Sequence, residues 1–460
     1  VYESLVWLSL WRRPKNEDSE QDIFLLMCHA KSRSLAEHIA FPFDAPSRNV
    51  NGLNEEMRDA RRDLNWCYRE IERHAMQGPE SPVRIEKLLT QARECEENLS
   101  RTLSATRAVP GKTAAAAKLA EPDVKQIRES IPCGAMALEY YEARGALYVA
   151  VLNRDQVRVL PLAPSDRVRE VLNFLQFQIS KFRLGPEYQR AFRVSMLDTT
   201  LAHLAELYQH LIAPVRPLLN CQHLIIAPHS FLHGLPFHAL HSNGRFLLDE
   251  FSVSYTPSAS VFALCQARDA KFRNESLVLG VPDASAPQIE DEARYAAAAL
   301  PNAHLRLGSD ATEAVLRQHG PASRFIHIAT HGTFRPDKPL FSSIRLGDSH
   351  LSLLDLYQIP LAAELVTLSG CSTGLSAVVG GDELLGMLRG VLFAGAQAVL
   401  ASLWDVHDAS TAEFMTAFYG RMPVVENKAQ ALREAMIDLR RQYPHPYFWA
   451  PFILVGKYAS

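Results

Sequence analysis

The chain of 460 residues carries enough apolar sequence to build more than one folded core. Hydrophobic residues make up 47% of it and charged residues 22%, a balance typical of globular rather than disordered proteins. The length corresponds to roughly two to four domains of ordinary size. The net charge of −3 gives no sign of a nucleic-acid or membrane partner.

Seven cysteines are spread singly, and no CxxC pair occurs. This excludes zinc ribbons and dithiol redox motifs. An odd, scattered set favours a reducing compartment, so we expect a cytoplasmic protein. No apolar stretch approaches the roughly 18 residues of a membrane span, and no basic leader opens the chain. Because the sequence begins at Val1 rather than at a methionine, we expect it to be part of a longer protein.

Residues 1–48 are predicted to be helical. Apolar residues such as Leu5, Leu8 and Leu10 recur at roughly helical spacing without completing a repeat. The segment is either the end of a helical repeat array or a pair of ordinary helices, and the pattern alone does not separate these two interpretations.

Residues 49–103 are predicted to form an antiparallel helical hairpin. Apolar residues step by three and four along both halves, which is the spacing of a seam on one helix face. They are Leu53, Met57, Ala60, Leu64, Cys67 and Ile71, followed by Ile85, Leu88, Ala92, Cys95 and Leu99. A break rich in glycine and proline at 78–82 joins the two helices.

Residues 104–122, rich in alanine, lysine and proline, are predicted to be a linker or an exposed loop. Gly111, Lys112 and Thr113 resemble the end of a phosphate-binding loop. However, Thr106 stands where that motif requires its first glycine, and no strand precedes it. We therefore expect no nucleotide site here.

Residues 123–460 are predicted to form one α/β domain, with an N-terminal part at 123–220 and a second part at 221–460. Strands are predicted at 135–141, 146–152, 157–162, 223–227, 277–280, 325–329, 365–368, 398–403 and 452–455. Helices are predicted at 165–182, 197–211, 312–318, 383–394 and 411–419. Continuous apolar strands that alternate with helices indicate a largely parallel sheet covered on both faces.

Two reactive side chains directly follow two of these strands. His331 comes after the run 325–330, and Cys371 comes after the run 365–370. Ligands bind outside the carboxyl ends of the strands in an open α/β sheet, so the two side chains share one rim if their strands are neighbours. A nearby imidazole raises the thiolate fraction of a cysteine or accepts its proton during attack. The backbone N–H groups of Gly332 and Cys371 are candidates for an oxyanion hole.

Each of these side chains also has a purely structural interpretation. A cysteine at a strand end is usually a small buried apolar residue, and a histidine beside a glycine is usually part of a loop. A separate group of histidines, at positions 229, 233, 238 and 241, is too irregularly spaced for a common zinc pattern, and we expect no metal there.

The sequences around His331 and Cys371 resemble the two catalytic motifs of CHAT domains, caspase-like domains often found beside tetratricopeptide repeats. The histidine motif is IATHGTF at 328–334, and the cysteine motif is LSGCSTG at 368–374. Further segments resemble the family in the same order: HGLPFHAL at 233–240, SYTPSA at 254–259, GDELLG at 381–386 and on to 396, ASLWDV at 401–406, and HPYFWAPF at 445–452. The resemblance, which covers about residues 50–460, identifies the chain as the C-terminal part of a tetratricopeptide-repeat CHAT protein.

The resemblance implies a caspase-like fold, shared with separases, metacaspases and gingipains. It also implies endopeptidase chemistry through His331 and Cys371 without a metal or other cofactor. One departure is the cysteine motif itself, because many CHAT domains have ACETG where this chain has GCSTG, a form closer to that of separase.

Separases cut after arginine, which they hold with acidic residues. The resemblance therefore makes Asp405 and Asp408, followed by Asp382 and Glu383, candidates for a pocket that binds a basic P1 side chain by charge-assisted hydrogen bonds. The same acids are equally well explained as surface or helix-capping residues, since acids are favoured where a helix begins.

The resulting prediction is a bacterial-type cysteine endopeptidase that cleaves a protein substrate. Its helical N-terminal region is expected to receive an activating protein or ribonucleoprotein partner, and no direct nucleic-acid binding is expected. The alternative is a caspase-like scaffold that binds proteins without turnover, and the presence of both His331 and Cys371 counts against it.

Overall fold

A computed structural model gives the fold of most of the chain. The residues it describes are 2–11, 16–40, 51–76, 82–107, 123–268, 273–283, 286–333, 335, 338–369, 384–404, 408–425 and 427–459. None of the helices within these ranges is both long enough and apolar enough to cross a membrane.

Helices precede the first strand and then alternate with strands. The leading helices are α1 (Tyr2–Trp11), α2 (Glu17–Ala40), α3 (Asn51–Met76), α4 (Pro82–Arg107) and α5 (Val124–Ser130). The later ones are α6 (Ser165–Ser180), α7 (Pro186–Leu211), α8 (Leu247–Glu250), α9 (Ala259–Gln266), α10 (Ile289–Ala299), α11 (Glu313–His319), α12 (Leu353–Leu356), α13 (Leu384–Phe393), α14 (Asp408–Arg421), α15 (Lys428–Gln442) and α16 (Pro446–Trp449).

The described strands form one large sheet and two small ones. They are β1 (Ala135–Ala143), β2 (Ala146–Leu152), β3 (Val157–Pro164), β4 (His223–Ala227), β5 (His241–Ser242), β6 (Arg245–Phe246), β7 (Ser252–Tyr255), β8 (Arg273–Gly280), β9 (Ala303–Leu307), β10 (Ser323–Ala329), β11 (Gly332–Thr333), β12 (Ser343–Arg345), β13 (His350–Ser352), β14 (Leu365–Ser369), β15 (Ala398–Ser402) and β16 (Phe452–Gly456).

The large sheet has eleven strands in the order β3-β2-β1-β4-β7-β16-β15-β14-β10-β8-β9. The pairs β1–β2, β2–β3 and β15–β16 are antiparallel, and the other neighbours are parallel. Every residue of β4, β14, β15 and β16 is buried, as expected for parallel strands with helices on both faces. The predicted α/β fold with a largely parallel sheet is confirmed.

The predicted antiparallel hairpin is formed by α3 and α4. Its buried side chains include Leu64 and Cys67 of α3 and Ala92 and Leu99 of α4, all members of the predicted apolar seam. These four pack in one cluster with Phe341, which follows β11 in the chain. The hairpin is therefore docked on the α/β domain beside the small sheet β11-β12-β13.

The first two helices also contact the α/β domain. Val6 of α1 and Phe24 and Met27 of α2 are buried in the same apolar core as the strands of the large sheet. Lys31 of α2 enters this core and forms an ion pair with Glu139 of β1, with 2.7 Å between Nζ and Oε1.

Candidate active site

The two strands that lead to His331 and Cys371 are hydrogen-bonded neighbours. β10 and β14 run parallel, with Ala329 opposite Ser369. The register continues one residue further, because the Thr330 N–H donates to the Ser369 carbonyl at 2.8 Å. The condition for a shared rim is therefore met at the level of the strands. Cys371 itself lies outside the described residues.

The imidazole of His331 is held by an acid that our sequence analysis did not single out. Its Nε2 lies 3.1 Å from Oδ2 of Asp283, and the two side chains are 25% and 10% exposed. Asp283 follows β8, the parallel neighbour of β10 on the side away from β14. The parallel strands β8, β10 and β14 thus end beside one another. Asp283 follows β8, and His331 follows β10.

Asp283 is fixed from two further directions. Its Oδ2 also accepts a hydrogen bond from Nη1 of Arg345 at 2.9 Å, and its Oδ1 accepts one from the Ala286 N–H at 3.1 Å. Arg345 lies in β12, which pairs with the short strand directly after His331. A carboxylate with three donors around it keeps a defined orientation, so it can fix the plane of the imidazole.

The backbone around His331 is tied to the small sheet. The Arg345 N–H donates to the His331 carbonyl at 2.9 Å, and the Thr330 hydroxyl donates to the Arg345 carbonyl at 2.8 Å. Gly332 stands opposite Ile344 in this antiparallel ladder. The hydrogen bond of the ladder joins the adjacent pair, His331 and Arg345, so Gly332 and Ile344 form a non-hydrogen-bonded pair. The N–H groups of such a pair point away from the partner strand, and the Gly332 N–H therefore points away from β12.

Of the four acidic residues predicted to form a P1 pocket, the described ranges include Asp408 alone. Asp405, Asp382 and Glu383 lie outside the described residues. Asp408 is the first residue of α14, which follows β15 at the same edge of the sheet as the end of β14.

The four clustered histidines belong to the packed interior and its rim. His229 stacks on Tyr141 with 4.4 Å between ring centroids, and its Nδ1 accepts the Glu142 N–H at 3.0 Å. His238 lies 3.0 Å from both the Tyr255 hydroxyl and the Ala450 carbonyl oxygen. Burial lowers the pKa of His229 to about 3 and that of His238 to about 4.

Burial also lowers the pKa of His233 and His241. Across the described ranges, no three or more His, Cys, Asp or Glu side chains come together in a group that could hold a metal ion.

A buried polar network lies beneath the site. His327 of β10 contacts the Tyr419 hydroxyl through Nδ1 at 2.9 Å and Glu292 through Nε2 at 3.2 Å. Tyr419 donates in turn to the Thr367 hydroxyl of β14 at 2.8 Å. This network ties the two site-bearing strands to the helices that cover them, α10 and α14, and so gives the strand ends a rigid base.

Comparison with known proteins agrees with this architecture. The family described as CHAT domain matches residues 201–457. Among curated proteins, tetratricopeptide repeat protein 28 of Homo sapiens and its counterpart in Mus musculus are each 36% identical over 109 residues, which is 23% of this chain and 4% of the relative. The chain thus spans only a small fraction of the length of these relatives.

Solved structures point to the same fold. Two crystal structures of the separase–securin complex of Saccharomyces cerevisiae match 82% of this chain and 34% of the separase chain, with TM-scores of 0.56 and 0.52 and identities of 13% and 12%. At this identity the likeness concerns the fold alone, and the predicted caspase-like fold is confirmed. Since the family match covers more than half of its residues, the chain belongs to the CHAT domain family.

Proposed function

We propose that the chain is a cysteine endopeptidase in which His331 and Cys371 act as a dyad. The observation that carries the proposal is the register of β10 and β14, since Ala329 lies opposite Ser369 and each reactive residue follows its strand by two positions. The anchored imidazole supports it further, because a surface histidine in an ordinary loop does not require a partly buried carboxylate and an arginine to orient it.

In the proposed reaction, the Cys371 sulfur attacks the carbonyl carbon of the scissile peptide bond. The bond to nitrogen breaks, a thioester forms, and His331 transfers the proton it took from the thiol to the leaving amine. His331 then takes a proton from water, which hydrolyses the thioester and regenerates the thiol. Because Nε2 faces Asp283, the nitrogen that exchanges the proton in this scheme is Nδ1.

The backbone N–H groups of Gly332 and Cys371 are proposed to stabilise the oxyanion. The outward direction of the Gly332 N–H, away from β12, supports its part in this. One such donor contributes about 3–4 kcal/mol to transition-state stabilisation in other acyl-transfer enzymes.

Asp405 and Asp408, followed by Asp382 and Glu383, are proposed to bind a basic P1 side chain. The segment 405–408 follows β15, and residues 382–383 lie between β14 and α13 in the chain. β14 is the neighbour of β10, and β15 is the next strand beyond β14. Carboxylates at that rim would select arginine through bidentate hydrogen bonds.

We also propose a protein substrate and an activating partner for this chain. The securin complex is a property of the separase structures and shows that a related fold assembles with a protein partner. For this chain, the helical N-terminal region is the proposed receiving surface. A reducing, cytoplasmic location is proposed because all six cysteines of the described ranges are free thiols.

The test is a proteome-wide comparison of cleavage sites between the parent protein and Cys371→Ala, with His331→Ala in parallel. Both variants are expected to lose cleavage, whereas Cys133→Ala, which alters an exposed cysteine, is expected to cut like the parent. Sites that cluster after arginine support the acidic pocket, and sites after apolar residues contradict it. Peptides that appear equally with Cys371→Ala would show that the chain is a scaffold rather than a peptidase.

A further inference from the structure

A buried carboxylate of the helical hairpin contacts the segment that follows His331. Glu96 of α4 is 0% exposed, although Glu94 and Glu97 on the same helix are exposed. Its Oε1 accepts hydrogen bonds from the Tyr68 hydroxyl at 2.6 Å and from Nη1 of Arg335 at 2.8 Å. Its Oε2 lies 3.0 Å from Nζ of Lys338.

The side chains around Glu96 stabilise the negative charge of its carboxylate. Burial raises the pKa of its carboxyl, but the hydrogen bonds from Tyr68, Arg335 and Lys338 outweigh that effect and lower it below the usual range. A buried anion with cationic partners is costly to leave unpaired, so Glu96 and its two cations constrain one another. The cations belong to the α/β domain, and the anion belongs to the hairpin.

A second line of contacts joins α3 to the small sheet. The side chain of Asn65 accepts the His350 N–H at 2.9 Å, and Arg69 donates to the Asp348 carbonyl at 3.0 Å. β13, which contains His350, pairs with β12, and β12 holds the His331 carbonyl through the Arg345 N–H. The hairpin thus contacts the chain both before β12, at Arg335 and Lys338, and after β12, at Asp348 and His350.

From these contacts we infer that Glu96 is a positioning residue for His331, acting through Arg335 and Lys338. The inference rests on the proposed peptidase function and adds to it the physical link between the hairpin and the imidazole. The hairpin lies outside residues 201–457, the region that matches the CHAT domain, whereas Arg335 and Lys338 lie within it, so the link joins the matched region to a segment that precedes it. A partner that moves the hairpin would therefore change activity without touching the dyad.

The test measures alkylation of Cys371 by iodoacetamide from pH 5.5 to 9, quantified by mass spectrometry on the whole chain. Alkylation requires the thiolate, so its rate below neutrality reports how well His331 is placed to take the thiol proton. Glu96→Gln is expected to slow alkylation about tenfold at pH 6.5, as misplacement of a catalytic group does, and to leave the rate at pH 9 unchanged. Glu97→Gln, which removes an equal charge from the exposed face, is expected to match the parent at every pH.

Hydrogen exchange gives the second readout. Peptides that cover 338–345 are expected to exchange faster in Glu96→Gln, while peptides of β14 and β15 keep their protection. Lys338→Gln removes the same contact from the other side and is expected to behave alike, which keeps the test open if Glu96→Gln folds poorly.

The outcomes separate two failures. If His331→Ala and the parent have the same rate of Cys371 alkylation at every pH, the proposed dyad is wrong, and the inference about Glu96 is wrong with it. If the rate depends on His331 but is unchanged in both Glu96→Gln and Lys338→Gln, the dyad stands and the positioning role of Glu96 alone is wrong.

Discussion

Asp283 and His331 lie at the ends of two adjacent parallel strands, with 3.1 Å between Oδ2 and Nε2. The strand that leads to Asp283, β8, lies on the side of β10 opposite to β14. Asp283 therefore contacts the imidazole from the side of β10 that is occupied by β8. This geometry favours one ring orientation. In the proposed reaction it also stabilises the imidazolium that forms when the thiol loses its proton.

Replacement of this aspartate is expected to impair the proposed peptidase reaction while leaving substrate binding intact. Asp283→Asn keeps the size of the side chain but removes the charge, and we expect kcat to fall about 100-fold with little change in KM. Asp291→Asn, on the exposed face of α10, is the matched control. Steady-state kinetics on a peptide taken from the cleavage profile measure both constants, and an unchanged kcat in Asp283→Asn would contradict the role.

Much of the fold follows from the sequence because apolar runs report burial directly. The predicted strands at 146–152 and 223–227 coincide with β2 and β4, and the first residue of β14 is also correct. The runs that lead to His331 and Cys371 were found for the same reason, and their order along a parallel sheet predicts the shared rim.

Two strands of the large sheet were missed because their sequences do not read as continuous apolar runs. β7 contains Ser252 and Ser254, whose hydroxyls lie 2.8 Å from the two ring nitrogens of His223 in the neighbouring strand. β9 is an edge strand whose residues are half-buried throughout. Burial of polar side chains in partnered pairs is a tertiary property that periodicity does not reveal.

Asp283 could have been found with the rule that identified His331. It follows the predicted strand at 277–280 by three residues and so stands at the carboxyl end of a strand. The link between Glu96 and Arg335 could not, because the two are 239 positions apart and Glu96 lies among exposed acids of the same helix.

The buried ion pair between Lys31 and Glu139 predicts a large effect on stability. Nζ of Lys31 also donates to the Ala227 carbonyl at 2.9 Å, and Glu139 accepts the Ala259 N–H at 2.7 Å. Lys31→Met leaves a carboxylate buried without its cation, so we expect the free energy of unfolding to fall by about 3–5 kcal/mol. Urea denaturation measures it.

The double variant Lys31→Met/Glu139→Gln separates the cost of an unpaired charge from the value of the pair. The amide oxygen that the second substitution introduces can still accept the Ala259 N–H, so we expect the double variant to recover most of the lost stability. Lys125→Met, in an exposed pair with Glu129, is the control and should leave stability unchanged. Equal losses in the single and double variants would rule out the unpaired charge as the cause.

A glycine at the end of β16, where it pairs with β15, is expected to resist substitution. Gly456 has φ of +100°, and a Cβ atom there would lie 2.5 Å from the Gln397 carbonyl oxygen. Gly456→Ala should therefore lower the free energy of unfolding by about 1–3 kcal/mol. Gly420→Ala, in α14 with open space around it, should raise stability slightly because alanine is the better helix former. Equal effects of the two substitutions in thermal unfolding would contradict this contrast.

The buried histidine His238 makes stability depend on pH. Its pKa is about 4 in the folded protein because burial disfavours the charged ring, whereas an unfolded chain has a histidine pKa of about 6.5. The unfolded state therefore binds the proton first, and the stabilising effect of the neutral ring is present above pH 6.5 and is lost as the pH falls toward 4. From pH 7.5 to pH 5 this amounts to about 2 kcal/mol. His238→Gln has no ring to protonate, so its free energy of unfolding, measured by urea titration at each pH, should fall less steeply over that interval. Parallel pH curves for the parent and His238→Gln would show that acid sensitivity originates elsewhere.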